Sequence, residues 1–61
     1  MQEFIFQNWH AWPGQSGLLL SDENTKELRQ FLDVDQCVNW LFLKGHKAAA
    51  RALNAHAKGA A

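Results

Sequence analysis

Apolar residues near the start of the chain fall on both parities of an extended backbone, with Phe4, Phe6 and Trp12 on one side and Ile5, Trp9 and Ala11 on the other. Rich in aromatic and β-branched types and free of capping signals, residues 3–12 are predicted to form a strand. A sheet with one wet face alternates cleanly, so the doubled pattern predicts that something covers the second face of this strand, with Phe4 and Phe6 joining Trp12 inside. Pro13-Gly14-Gln15-Ser16-Gly17 combines fixed and permissive backbone types and predicts a hairpin loop, followed by a second short strand at Leu18-Leu19-Leu20.

From Ser21 onward the period changes. Ser21 is a natural N-cap, Asp22 and Glu23 suit the positive end of a helix, and Leu28, Phe31 and Leu32 recur at i, i+3 and i+4, which predicts a helix over 22–32. Asp33 is placed to cap a next helix over 34–44, with Gln36 completing a capping box and Leu32 with Cys37 forming its hydrophobic staple. Within it little more than Gln36, Asn39 and Lys44 makes a wet strip, so it is expected to be central or shared between subunits, with Trp40 in the core. Gly45 ends it. Lys47 to Lys58 is an alanine-rich helix closed by Gly59. Neither repeats nor a linker interrupt residues 1–61, so the expectation is one α+β domain, an N-terminal β-hairpin followed by two or three short helices.

Composition narrows the class. At 61 residues and 48% hydrophobic, the chain is too apolar for disorder, yet it can bury only about 60% of its unfolded surface, which favours completion by self-association. The longest apolar run, Trp40 to Leu43, is far short of the roughly 20 residues that span a bilayer, so no membrane partner is expected. Cys37 is the lone cysteine and excludes an internal disulfide; together with Met1 and the lack of a visible leader it points to a soluble, cytoplasmic protein, and the small size suits a bacterial or phage accessory protein. Net charge is zero but lopsided: all six acids lie in residues 1–35, leaving that part at −4, and residues 36–61 carry +4.

Candidate chemistry fails on spacing. His10 sits on the first strand and His46 and His56 lie ten residues apart, about 15 Å along a helix, so neither they nor Cys37 make a zinc site and no metal or other cofactor is expected. Asp33-Val34-Asp35 opens like a calcium loop, but Val38 stands where glycine is needed and Lys44 where a bidentate Glu is needed. Gly14-Gln15-Ser16-Gly17 lacks the second glycine of a nucleophile elbow, where Leu18 stands, and the Lys-Ser/Thr pair of a phosphate loop. Burial in an apolar helix would raise the Cys37 thiol pKa, and so short a chain has no room for a formed active-site pocket, so no enzyme is expected. A helix-turn-helix around Gly45 fits poorly, because Leu41 falls where a small residue packs and Arg51 where an apolar anchor belongs.

Binding remains. Trp9 and Trp12 are candidate anchors, since both faces of their strand are apolar. Lys47, Arg51, Asn54 and Lys58 recur at i, i+4, i+7 and i+11 and form a polar stripe opposite Ala49, Ala50, Leu53 and Ala57. The expected function is a non-catalytic regulatory or inhibitory protein-binding module that self-associates as a homodimer or larger. The alternative is a nucleic-acid-binding regulator using the basic last helix, a reading weakened by the zero net charge.

Overall fold

Polar pairs and glycines set between short apolar segments cut the first half of the chain into four strands. The structure, a computed structural model, describes residues 2–59. In chain order it contains β1 (Phe4–Phe6), β2 (Trp9–Gly14), β3 (Gly17–Asp22), β4 (Glu27–Phe31), α1 (Val34–Leu43) and α2 (Lys47–Ala57). The strands form one antiparallel meander in the order β1-β2-β3-β4. The domain is α+β, with an N-terminal hairpin and two helices as the sequence indicates.

The single strand predicted over 3–12 is instead two strands joined at Gln7 and Asn8, with Gln7 in the left-handed region at φ 54°. A two-residue turn changes which parity faces inward. Phe4 pairs with Ala11 and Phe6 with Trp9, so all four share one face, whereas Trp12 lies on the other with Ile5. The doubled apolar pattern therefore marks a hairpin, and Phe4 and Phe6 join Trp9 inside rather than Trp12.

The helix predicted over 22–32 is a turn followed by β4. The Asp22 carboxylate accepts the Asn24 N–H at 2.9 Å, and its carbonyl accepts the Lys26 N–H at 2.7 Å. This local capture competes directly with a helix N-terminus built from the same residues. Lys26 then adopts φ 64°, which ends any helical path and turns the chain back onto β3. Asn24 and Thr25 are weak helix formers, and so short an isolated helix is marginal, so the ladder offered by β3 prevails.

The helices form where caps are strong. Asp33 accepts the Gln36 N–H at 2.9 Å, and the Gln36 amide oxygen accepts the Leu32 N–H at 3.3 Å, so the cap is present one residue longer than a standard box. The staple is not: Cys37 is fully buried while Leu32 is 73% exposed. Gly45 at φ 87° and Gly59 at φ 69° follow the two helices in left-handed conformation.

Both helices cover one face of the sheet, α1 over β3 and β4, and α2 beside it against β1. Phe4, Trp9, Ala11, Leu18 and Leu20 from the sheet meet Cys37 and Leu41 of α1 and Ala49, Ala50 and Leu53 of α2 in a single core. Ala49 and Ala50 let the helices approach closely. α1 is not central: Phe42 and Leu43 face outward, and Trp40 is half-buried at the core's margin.

Candidate functional site

Because the strand period is two, each residue buried under the helices sends a neighbour to the opposite face of the sheet. Register places Ile5, His10, Ser21 and Leu28 in one row across that outer face, and Trp12, Leu19 and Gln30 in the next. None of these seven carries a fixed charge. Ile5 is 68% and Leu28 60% exposed, with Trp12 and Leu19 half-buried between them. His10 lies tilted against Trp12 at 4.6 Å between centroids and donates from Nε2 to the Glu3 carboxylate at 2.7 Å, which fixes the ring on the surface. Among the described residues no element packs on this face.

The inner face opens at the turn end of the sheet into a cleft of about 320 Å³ lined by Trp9, Leu20, Asp22, Arg29, Trp40 and His46. Trp9 meets Trp40 edge-on at 6.3 Å and His46 at 4.8 Å. The Arg29 guanidinium lies 4.8 Å over the Trp40 ring and donates to Glu27 at 3.3 Å, so the protein's own cation already occupies the most attractive aromatic surface there. Asp22 accepts from the Asn8 side-chain amide at 2.8 Å, which holds its carboxyl below the usual value, with the Asn24 N–H adding to the effect. Together with the Glu23 N–H donating to the Asn8 carbonyl at 2.8 Å, this bond ties the first hairpin turn to the last.

The third surface is the outward side of α2. Lys47, Arg51 and Lys58 are exposed and Asn54 is half-buried, on the side of the helix away from Ala49, Ala50 and Leu53. Among the described residues none of these three cations is within salt-bridge distance of a carboxylate. Trp9 and Lys47 both border a groove between the hairpin turns and the start of α2, whereas Trp12 lies on the opposite side of the sheet. The structure thus brings Trp9 and Lys47 to one groove and leaves Trp12 apart from both.

Cys37 is fully enclosed, and burial pushes its thiol up to about 12. Among the described residues no three His, Cys, Asp or Glu side chains gather to hold a metal ion, and no helix is long and apolar enough to cross a membrane. No protein-family model, curated protein or solved structure matches the chain.

Sequence reasoning missed Ile5, Leu19 and Leu28 as surface groups, and Arg29 and His46 as cleft groups. The missing signal is the Gln7-Asn8 turn: once it is placed, alternation assigns Ile5, Trp12 and Leu19 to the outer face directly.

Proposed function

We infer that the protein is a non-catalytic binding module whose contact surface is the outer face of its sheet. The carrying observation is the asymmetry of that sheet: two helices cover one face, while the other presents Ile5, Trp12, Leu19 and Leu28 with no fixed charge and no layer over it. An exposed apolar patch rimmed by polar groups is the usual mark of a protein-protein contact, and aromatic groups such as Trp12 supply most of the energy of such contacts. The enclosed thiol further supports a non-catalytic role.

Affinity capture with the parent chain and with an Ile5→Lys/Trp12→Gln double variant tests this reading. Both substitutions sit on the uncovered face, so the fold should persist, as far-UV circular dichroism will show. Proteins retained by the parent should be lost from the variant. Equal retention by the two chains would contradict the assignment of the face.

The cations on the outward side of α2, which have no carboxylate partner among the described residues, favour a second reading, contact with a phosphate backbone or an acidic protein. Absence of any DNA or RNA retardation at low salt removes its nucleic-acid form.

A further inference from the structure

The two edges of the sheet are treated differently. At β1 the strand is three residues long and lies beside α2, whose His56 Nε2 donates to the Gln2 carbonyl at 3.0 Å. At β4 five residues run along an edge with no strand beyond it among the described residues, and Glu27 to Gln30 are exposed. Such an edge is a template for another strand. Large exposed apolar groups also gather on this side. Leu28 lies on β4, Leu32 follows it at 73% exposure, and Leu43, 77% exposed, shares a groove of about 330 Å³ with Phe31 and Trp40.

We propose that the β4 edge pairs antiparallel with the β4 edge of a second copy, about a two-fold axis through Leu28. Charge selects this register. An axis through Arg29 would pair the full strand but set Arg29 against the partner's Arg29, and like charges directly opposite are destabilising. An axis through Gln30 pairs three residues, as one through Leu28 does, but sets Arg29 against the partner's Phe31 and forms no ion pair. Through Leu28, Glu27 stands opposite the partner's Arg29, Arg29 opposite the partner's Glu27, and Leu28 opposite the partner's Leu28. Opposite residues in such a pair have Cβ atoms about 5 Å apart, close enough for both ion pairs to form in exchange for the 3.3 Å contact that Arg29 makes with Glu27 of its own chain. The contact is isologous and closed, so it ends at the dimer. The joined sheets carry one continuous outer face and leave Ile5, Trp12 and Leu19 free for a different partner, so the pairing stands apart from the reading of that face.

The register prescribes its own test by light scattering coupled to size exclusion. The parent should move from its 6.9 kDa chain mass toward twice that value as concentration rises. Glu27→Arg and Arg29→Glu, each alone, should stay monomeric at concentrations where the parent dimerises, because each places like charges opposite one another. Mixed in equal amounts they should dimerise again, since every opposing pair is then complementary. Recovery on mixing also shows that both variants are folded. A parent that stays at monomer mass up to millimolar concentration, single variants that dimerise like the parent, or a mixture that does not recover would each overturn the proposal. Ile5→Lys/Trp12→Gln should dimerise as the parent does, which separates failure of the edge pairing from failure of the face reading.

Discussion

At Gly17 the backbone holds φ 142°, and a Cβ placed there would collide with the Phe31 carbonyl oxygen at the end of β4. The sequence marks this glycine as part of a hairpin loop, which it is, but the reason for its identity is a contact with a strand fourteen residues away that no local pattern displays. Gly17→Ala should therefore destabilise by at least about 2 kcal/mol, lowering the melting temperature by roughly 8 °C or more in a domain of this size. Gly45→Ala is the matched control: its φ is 87° but the space around it is open, so only the backbone cost of about 1 kcal/mol applies. Thermal unfolding of the two variants checks the difference. Asp22 gives a second test at this scale. Its folded pKa lies below the ordinary 3.8, chiefly through the Asn8 amide, so its stabilising contribution is complete above that value and is lost as pH falls through the folded pKa. Asn8→Ala should lower stability at neutral pH and give a shallower decline under acid, measured as denaturant midpoint against pH. An unchanged slope would mean that Asn8 does not set the Asp22 carboxyl.

Elements were legible in the sequence where local signals agree. Asp33, Gln36, Gly45 and Gly59 are read by position alone, and both helices appear within a residue of where those groups place them. β4 was hidden because Ser21, Asp22, Leu28, Phe31 and Leu32 satisfy a helical template as well, and the choice is made by the tie from Asn8 and the ladder with β3, neither of which is local. The apolar surplus of α1 likewise resolves only in three dimensions: Cys37 and Leu41 point into the core, while Leu43 points away from it. Leu41→Ala should cost about 2–5 kcal/mol, as for a fully buried leucine, whereas Leu43→Ala should fall within about 0.5 kcal/mol of the parent. Chemical denaturation of the two single variants under dilute, monomeric conditions tests the orientation of the helix, and similar losses for both would contradict it.

For the whole molecule, the sequence conveyed the α+β class and the outward polar stripe of α2, because composition and a 3.6-residue period survive any arrangement of the other parts. It did not convey which tryptophan is core and which is surface, because one two-residue turn at Gln7-Asn8 exchanges the faces of everything that follows it. The same turn creates the uncovered face on which the functional reading depends. That face and the basic side of α2 lie on opposite sides of the domain, so one measurement separates them: hydroxyl-radical footprinting of the chain, free and bound to the protein it captures. The account predicts protection of Trp12, Leu19 and Ile5 on binding, with Lys47, Arg51 and Lys58 unchanged. Protection along α2 with Trp12 and Leu19 still fully reactive would contradict it.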